Sequence, residues 1–217
     1  MDNISIQRIY RILFQYYGKQ GWWPGETEFE ISIGAILTQS VSWRNVEIAI
    51  SNLKQKYFLI PEVLNSKGVE EIASLIKSTG YFNQKAKKVK NFLEWFLKYD
   101  FSFDILKGMD TKTLREELLL INGIGPETAD SILLYALSKK TFVIDAYTKR
   151  IFTRVGILSG KENYTQMQKI FHNRFKGGIQ DYNEYHALIV KHGKDVCKKK
   201  PLCDGCCIAE NCNGVME

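Results

Sequence analysis

The stretch Leu120–Arg150 constrains the fold of this chain more than any other; it reads LINGIGPETADSILLYALSKKTFVIDAYTKR. Gly123 and Gly125 lie between two helix-forming runs and predict a tight turn, because glycine reaches positive φ and lets another chain approach closely. Pro126 suits the first turn of the second helix, where its missing N–H costs nothing. The N–H groups and the dipole at that helix end favour an anion such as a phosphate group.

The rest of the sequence is also patterned for helices. Apolar residues recur at the spacing of one helix face, and no alternation of period two is long enough for a sheet. We therefore predict an all-α fold. The predicted helices cover residues 3–17, 28–39, 43–57, 69–77, 83–98, 111–120, 126–139, 146–155, 163–175 and 183–193.

Composition and charge set the class of protein. The chain has 217 residues, 45% hydrophobic and 25% charged, as in globular proteins that bury a core in one unit or two small lobes. Basic and acidic residues number 16 each over residues 1–138, whereas residues 139–217 carry 14 basic and 8 acidic. A basic half suits a polyanionic partner, although a solvated lysine-rich surface gives the same count. The N-terminal stretch is interrupted by charge and no apolar run reaches transmembrane length, so we expect a cytoplasmic protein without membrane contact.

Five cysteines lie within the last 21 residues, and this clustering excludes a disulfide framework spread through the fold. Four of them follow the spacing Cys-x5-Cys-x2-Cys-x5-Cys, which places soft thiolate ligands on one short loop. They are Cys197, Cys203, Cys206 and Cys212. An iron–sulfur cluster is the favoured ligand, with tetrahedral zinc and free thiols as alternatives. Cys207 falls outside the spacing and is interpreted as a bystander.

The hairpin, the acid that follows it and the cysteine loop resemble the helix-hairpin-helix DNA glycosylases of the endonuclease III superfamily. The resemblance implies two helical lobes with a DNA-binding cleft between them. One lobe would be a six-helix barrel over residues 28–138, with the hairpin near 114–138. The other would combine residues 1–27 with 139–217 and hold a [4Fe-4S] cluster in the loop 197–212. The family has six residues in the first cysteine gap, and this chain has five.

Asp145 is the candidate catalytic residue, because it matches the acid that follows the hairpin in this superfamily. Breaking an N-glycosidic bond passes through an oxocarbenium-like sugar, and a nearby carboxylate can stabilise that charge or activate water. An aspartate in front of AYTKRIF is also a good helix N-cap. The two roles are compatible, since a cap would hold the carboxylate rigidly.

Glu127 stands where bifunctional members of the superfamily carry a nucleophilic lysine, two residues past the last glycine of the turn. Glutamate cannot form a Schiff base, so the resemblance implies a monofunctional glycosylase that uses water and does not cleave the strand. An acid in the first turn of a helix is also favoured by the helix dipole alone. The expected place of Glu127 at the cleft favours a role in the base pocket.

A closer resemblance, over about residues 20–155, is to the 3-methyladenine DNA glycosylase III branch. That branch shows the words WWP, LTQ, GYFNQKAK and GIG-x-E-[ST]-AD, all present here. In it an alkylated purine stacks between aromatic side chains, and a cationic purine gains cation–π attraction over an indole. The resemblance implies a base pocket that includes Trp22, Trp23, Pro24 and Trp43, the last in place of a phenylalanine. Adjacent tryptophans are also common as packing residues between lobes.

Other residues are candidates for contact with DNA, namely Gln39, Gly123, Gly125, Lys198 and Lys199. Gln39 matches the intercalating position of the family, where it would fill the space left by a flipped nucleotide, although it also suits a helix C-terminus. Lys200 is placed either on the DNA backbone or, from the resemblance, in the base pocket. His186 and His192 are interpreted as structural residues on a helix beside the cysteine loop.

The resemblance as a whole implies a monofunctional DNA glycosylase of base excision repair. It would act as a monomer on double-stranded DNA, flipping and hydrolytically removing alkylated purines such as 3-methyladenine or 7-methylguanine. One alternative is a mismatch glycosylase of the same fold that removes thymine, uracil or adenine, and the tryptophan pair argues against it. Another is a non-catalytic protein that only grips phosphates through the hairpin, which would leave Asp145 without a role.

Overall fold

The structure, a computed structural model, describes residues 5–214. Its α-helices are α1 (Ile6–Tyr17), α2 (Glu28–Leu37), α3 (Trp43–Gln55), α4 (Pro61–Asn65), α5 (Val69–Leu75), α6 (Phe82–Leu97), α7 (Phe103–Gly108), α8 (Thr111–Leu120), α9 (Pro126–Ser131), α10 (Ala146–Arg154), α11 (Tyr164–Arg174) and α12 (Ile179–Asp195). A π-helical turn, Ile132–Ala136, continues α9, and 3-10 turns lie at Lys77–Thr79 and Ala209–Asn211. Between residues 5 and 214 there is no β-strand, which confirms the predicted all-α fold, and no helix is long and apolar enough to cross a membrane.

The chain divides into two compact units. The terminal unit contains the chain up to Trp23 and again from Lys140 onward, and the central unit is Pro24–Lys139. The sequence analysis divides the chain after residues 27 and 138 instead, and its assignment of a barrel lobe and a cluster lobe stays a prediction. The WWP segment is therefore split, with its tryptophans in the terminal unit and its proline in the central unit.

The central unit is built around α2. Its sequence EFEISIGAIL is apolar on nearly all sides, as in helices that are buried on every face. Thr27 starts the helix by accepting a hydrogen bond from the Glu30 N–H at 3.1 Å. The helix contacts α3, α6, α9 and the π-helical turn. Because neighbouring helices hold α2 in place, the turn that follows it, which contains Gln39, also has a defined position in the central unit.

A buried lysine closes the C-terminal end of α2. Lys85 Nζ donates to the carbonyl of Leu37 at 2.8 Å and to that of Thr79 at 2.7 Å. Burial, with a smaller effect of the Lys88 charge, lowers the pKa of Lys85 to about 8. One of the carbonyls that a helix end leaves without an intrahelical donor is thereby satisfied. The same contact ties α2 to the segment in front of α6.

The terminal unit joins the first helix to the last ones around an aromatic core. α12 contacts α1 and α10, and α1 also contacts α11. The Tyr185 hydroxyl donates to the carbonyl of Ile6 at 2.7 Å, across 179 positions of sequence. The fully buried aromatic side chains are Phe142, Phe152, Phe171, Phe175, Tyr182 and Tyr185. Rings of this size bury large apolar areas, so they fix α12 against its neighbours.

Some helix boundaries differ from the predicted ones. α12 begins at Ile179 rather than at residue 183, because Asp181 accepts a hydrogen bond from the Gly178 N–H at 2.8 Å and caps the helix. α1 begins at Ile6, and the first two residues of the predicted helix 3–17 lie outside the described residues. The short helices α4 and α7 were not predicted, since five or six residues do not establish a helical period.

Candidate active site and cysteine loop

α8 and α9 form a helical hairpin in the central unit. Gly123, in the turn, has φ +94°, a left-handed conformation that glycine adopts without strain. A methyl group on Gly123 would also collide with the side chain of Lys88. Gly125 differs, because nothing lies within 4 Å of the point where its Cβ would be. The turn therefore requires glycine at the first position and leaves open space at the second.

A buried ion pair holds the two hairpin helices together. The guanidinium of Arg115 on α8 donates to both carboxylate oxygens of Asp130 on α9, from Nε at 2.7 Å and from Nη2 at 3.0 Å. The Asp130 side chain is fully buried. Bidentate pairs of this kind fix orientation as well as distance. The final aspartate of the GIG-x-E-[ST]-AD word thus has a structural role in the hairpin.

Gln39 is bonded to the hairpin. Its Nε2 donates to the carbonyl of Gly123 at 3.1 Å and to Thr128 Oγ1 at 3.0 Å. Its Oε1 accepts a hydrogen bond from Lys88 Nζ. The residue lies in the turn after α2, which ends at Leu37 rather than at residue 39 as predicted. The structure therefore brings together Gln39 and Gly123, two of the predicted DNA-binding residues.

The predicted pocket residues of the central unit lie at the beginnings of two helices. Trp43 is the first residue of α3, is half-buried, and donates from Nε1 to Glu47 Oε1 at 2.8 Å. Glu127 is an exposed residue in the first turn of α9. Pro24 is exposed at the start of the unit. A first-turn acid is favoured by the helix dipole whatever else it does, so position alone does not assign Glu127 to the base pocket.

Trp22 and Trp23 lie in the terminal unit, both half-buried, with ring centroids 5.6 Å apart in an edge-to-face arrangement. The chain in front of them is anchored on α12. The backbone N–H of Gln20 donates to the buried carboxylate of Glu184. The Tyr17 hydroxyl forms a hydrogen bond with His192 Nδ1 at 2.9 Å. The tryptophan pair therefore follows a segment whose backbone is fixed to α12 at two points.

Asp145 caps α10 in the terminal unit. Its Oδ1 accepts hydrogen bonds from the Thr148 N–H at 2.7 Å and from Thr148 Oγ1 at 2.8 Å. Its side chain is only 10% exposed. Asp145 is thus the N-cap of α10, as one of the two interpretations of the sequence predicted. The cap uses one carboxylate oxygen and leaves the other for a different contact.

That contact is His186 on α12, which the sequence analysis interpreted only as structural. Its Nε2 lies 3.5 Å from Asp145 Oδ2, and its side chain is 6% exposed. Burial raises the pKa of the Asp145 carboxyl, but His186 and then Thr148 lower it by more, so the pKa lies below its ordinary value. The carboxyl group is therefore ionised at neutral pH and contacted through both oxygens.

The four cysteines of the motif line one cavity of about 130 Å³, and Cys207 is not among its lining residues. The remaining wall is mostly apolar, with Ile151, Val155, Val196, Leu202 and Ile208. Burial raises the pKa of Cys206, and so do the neighbouring Cys197, Cys212 and Cys203. Within residues 5–214 no three His, Cys, Asp or Glu side chains are arranged to hold a single metal ion. Four thiols around one cavity are a donor set of the kind that binds soft metals.

Arg154 ties the cysteine loop to α10. Its Nη1 donates to Cys197 Sγ at 3.2 Å and to the carbonyl of Lys198 at 2.7 Å, and its Nη2 donates to the carbonyl of Lys199 at 2.9 Å. Residues 198–200 are exposed. The backbone of the predicted DNA-binding lysines is thus held in place while their side chains face solvent. Whether Lys200 contacts a base or a phosphate stays a prediction.

His192 lies beside the cysteine loop, as the sequence analysis expected. Its Nε2 is 3.7 Å from Cys206 Sγ, and its side chain is fully buried. Burial lowers the pKa of His192 to about 4. The ring is therefore neutral at physiological pH, and its contacts with Cys206 and Tyr17 give it a structural role.

Comparisons with known proteins agree with this architecture. A family model described as HhH-GPD superfamily base excision DNA repair protein matches residues 33–176. A protein of Methanocaldococcus jannaschii named "Putative DNA repair glycosylase" is 48% identical over 209 residues, 95% of each chain. Endonuclease III of Sulfolobus acidocaldarius is 32% identical over 186 residues, covering 85% of this chain and 81% of its own length.

Solved structures of the same fold include two with informative ligands. H. pylori 3-methyladenine DNA glycosylase bound to 1,N6-ethenoadenine superposes with a TM-score of 0.79 at 27% identity, covering 88% of this chain and 98% of its own. A non-covalent endonuclease III–DNA complex superposes with a TM-score of 0.81 at 19% identity, over 95% and 93% of the two chains. At that lower identity the likeness shows the fold alone.

The fold and the comparisons define a DNA glycosylase of the endonuclease III type. The chain belongs to the HhH-GPD superfamily of base excision DNA repair proteins, whose family model covers its hairpin, Asp145 and all of α11.

Sequence reasoning interpreted His186 only as structural and gave no role to Lys88 or Arg154. His186, Lys88 and Arg154 each contact a residue that was predicted to act, from an element distant in sequence. One signal pointed to His186, which sits in the apolar run YHALIV, because a polar side chain buried there needs a partner. No local pattern marked Lys88 or Arg154, since their partners come from other parts of the chain.

Proposed function

We propose that this protein is a monofunctional DNA glycosylase that flips alkylated purines, 3-methyladenine above all, out of double-stranded DNA and hydrolyses their N-glycosidic bond. The observation that carries the proposal is Asp145, an ionised carboxylate with little exposure, held through both oxygens. In the reaction the bond between the sugar and the base nitrogen breaks and the electron pair leaves with the base. Water then adds to the sugar and loses a proton.

Asp145 would act on the charge that develops in this step. As the bond breaks, the sugar becomes oxocarbenium-like, and a carboxylate fixed beforehand stabilises that charge without reorganising. The same group can accept the proton of the attacking water. An alkylated purine that already carries positive charge leaves as a neutral base, so the protein needs no general acid.

Glu127 supports the absence of strand cleavage. The residue occupies the position of the catalytic lysine in lyase members of the family and lies in the first turn of α9. A carboxylate cannot form the imine through which β-elimination proceeds. We propose that it instead adds negative charge to the base pocket, which favours cationic purines.

The aromatic residues support alkylated purines as the substrate. Three tryptophans match the aromatic positions of the 3-methyladenine branch, and indole faces attract cationic bases. They are Trp22, Trp23 and Trp43, all half-buried. The relative from H. pylori, which shares 27% identity, is itself a 3-methyladenine DNA glycosylase and was crystallised with 1,N6-ethenoadenine. We propose that the three indoles and Pro24 receive the flipped base.

We also propose that the cysteine loop carries a [4Fe-4S] cluster, with Cys197, Cys203, Cys206 and Cys212 as its ligands. The shared cavity and the hydrogen bond from Arg154 to Cys197 Sγ support this assignment, because N–H···S bonds are common around such clusters. When bound, the cluster would cross-link the four sulfur atoms and fix the basic segment next to them. Zinc stays the alternative.

The alternative candidate is a mismatch glycosylase that removes thymine, uracil or adenine. The same fold occurs in a thermostable thymine-DNA glycosylase at 20% identity. A third is phosphate binding through the hairpin without catalysis. One experiment separates all three. Duplexes with 3-methyladenine, 7-methylguanine, a T:G pair, a U:G pair or an A:8-oxoguanine pair are scored for base release, strand scission and trapping with borohydride.

We expect release of the alkylated purines as free bases. The abasic strand should stay intact until alkali is added, and borohydride should trap no covalent adduct. Release of thymine or uracil with no release of 3-methyladenine would contradict the substrate assignment but not the glycosylase fold. Binding without release from any duplex would leave the phosphate-binding function.

A further inference from the structure

The carboxylate of Asp145 is held asymmetrically. One oxygen, Oδ1, accepts two hydrogen bonds from Thr148, a residue of the helix that Asp145 itself caps. The other oxygen, Oδ2, faces α12, where His186 Nε2 lies 3.5 Å away. The two hydrogen bonds at Oδ1 already resist rotation about the Cβ–Cγ bond of Asp145. The contact at Oδ2 adds a second point that restricts the plane of the carboxylate.

The element that carries His186 is one of the most firmly held in the terminal unit. α12 spans 17 residues, and Tyr185, next to His186, is fully buried and bonded to Ile6 on α1. Glu184 and His192, on the same helix, hold the segment in front of the tryptophan pair. The imidazole is therefore fixed in space before any DNA binds. A group placed in this way can orient a neighbour instead of following it.

We propose that His186 is the positioning residue of Asp145. It restricts the plane of the carboxylate, and its contact at Oδ2 favours the ionised form where little water reaches the group. The histidine does not touch the substrate in this role, and it transfers no proton. The inference rests on the proposed glycosylase function for its effect on rate, but not for its effect on Asp145 itself.

The contact has a consequence for catalysis because Asp145 is nearly buried. A carboxylate with 10% of its side chain exposed has few waters to replace a lost partner. The groups that act on this carboxyl are the imidazole of His186 from α12 and the N–H and hydroxyl of Thr148 from α10. Without His186, two of the effects that lower the pKa of this carboxyl are lost, so the ionised, oriented form would be less populated. Loss of orientation and loss of charge both slow the step that forms the oxocarbenium-like sugar.

The test compares two substitutions of the same residue. His186→Leu removes both ring nitrogens at similar volume, whereas His186→Gln keeps an N–H donor near the position of Nε2. His172→Gln, an exposed histidine on α11 of the same unit, serves as the matched control. Single-turnover base release at saturating lesion DNA is measured from pH 4 to pH 9, together with affinity for undamaged duplex and thermal unfolding.

We expect His186→Leu to lower the single-turnover rate by about 10- to 100-fold, the range seen when the outer partners of metal ligands are removed. The acid limb of its pH–rate profile should move to higher pH, because the group that lowers the pKa of Asp145 is gone. His186→Gln should recover most of the rate, and affinity for undamaged DNA should be unchanged in both variants. A His186→Leu variant that melts like the wild type and keeps both its rate and its acid limb would overturn the proposal.

A second measurement does not depend on activity. The carboxyl carbon of Asp145 is observed by NMR in protein labelled with ¹³C at aspartate, and its signal is identified by its loss in Asp145→Asn. In His186→Leu this carboxyl should titrate at higher pH than in the wild type, while His172→Gln should leave it unchanged. Titration at the same pH in all three proteins would refute the positioning role. If the wild type releases no base from any duplex, the function proposed above fails, and this titration still decides the role of His186.

Discussion

At the scale of single residues, Asp145 caps α10 with the same carboxylate that the proposed function uses in catalysis. The cap uses only one oxygen and keeps the backbone of α10 and the carboxylate in register. A carboxylate on a flexible loop would need to be oriented at the moment of reaction. Here the orientation is set by folding, through Thr148 and His186. The structure shows the cap, and the catalytic role of Asp145 is the one proposed above.

The first prediction concerns this residue. Asp145→Asn should lower base release by several powers of ten while lesion-DNA binding stays within a few fold, because the lost charge acts mainly in the transition state. Asparagine is as good an N-cap as aspartate, so the fold should survive. Asp145→Ala is the contrast, since it also loses the cap and about 1 kcal/mol of stability. Equal base release by Asp145→Asn and wild type would remove Asp145 from the mechanism.

At the scale of elements, the hairpin separates the structural need for glycine from the functional one. Gly123 has φ +94° and lies against Lys88, whereas Gly125 has an ordinary φ and open space beside it. The first glycine is thus required by the fold of the turn. The second is available for the close approach of a DNA phosphate.

This difference gives the second prediction. Gly123→Ala should lower the free energy of unfolding by about 1–3 kcal/mol, because alanine is strained at positive φ and its methyl group displaces Lys88. Gly125→Ala should leave the melting temperature nearly unchanged but weaken DNA binding, since its methyl group would stand where the backbone meets a phosphate. Thermal unfolding and duplex affinity are measured for both variants. Unchanged affinity in Gly125→Ala would show that the turn does not approach DNA.

The elements also show how far the sequence alone could reach. Helices and the hairpin were predictable because they follow local rules, namely apolar period, glycine in a turn and proline at a helix start. The contact of Asp145 with His186 was not, because the partners lie 41 positions apart and no local rule links them. Lys88 and Gln39 are 49 positions apart and pose the same difficulty. Such pairs depend on how helices pack, which a single sequence does not display.

The cysteine loop gives the third prediction. Purified protein should be yellow-brown and contain iron, because four of its five cysteines line one cavity. Cys206→Ser should lose the colour and most of the iron. Cys207→Ser is a matched control on the adjacent residue and should keep both, since Cys207 does not line the cavity. Metal analysis and visible absorption are the measurements, and stoichiometric zinc without iron would contradict the cluster.

At the scale of the whole molecule, charge is distributed in a way that suits DNA. Residues 139–217 carry 14 basic and 8 acidic residues, whereas the preceding residues balance at 16 and 16. Three of these basic residues form the exposed segment 198–200, and Arg154 donates hydrogen bonds to two of its backbone carbonyls. A fixed basic segment binds phosphates at a lower entropic cost than a mobile one. We therefore expect it to contribute to affinity for any DNA sequence.

The fourth prediction tests that contribution through salt. Each phosphate contact releases counterions, so affinity for undamaged duplex should fall steeply with salt concentration. Replacing Lys198, Lys199 and Lys200 by glutamine should flatten that dependence by about one unit of slope for each lysine that contacts a phosphate. Lys161→Gln, an exposed lysine elsewhere in the terminal unit, is the control. A slope that does not change would show that residues 198–200 lie away from DNA.

A single replacement decides the position of Lys200, for which the sequence predicts contact either with the DNA backbone or with the base in the pocket. Removing a residue that binds phosphate lowers the affinity for damaged and undamaged duplexes by the same factor, because such a residue does not contact the base. Removing a residue of the base pocket lowers only the affinity for the duplex that carries the lesion. Lys200→Gln alone should therefore lower the affinity for both duplexes equally if its side chain continues the basic segment. A loss confined to the duplex with the alkylated purine would move Lys200 to the flipped base.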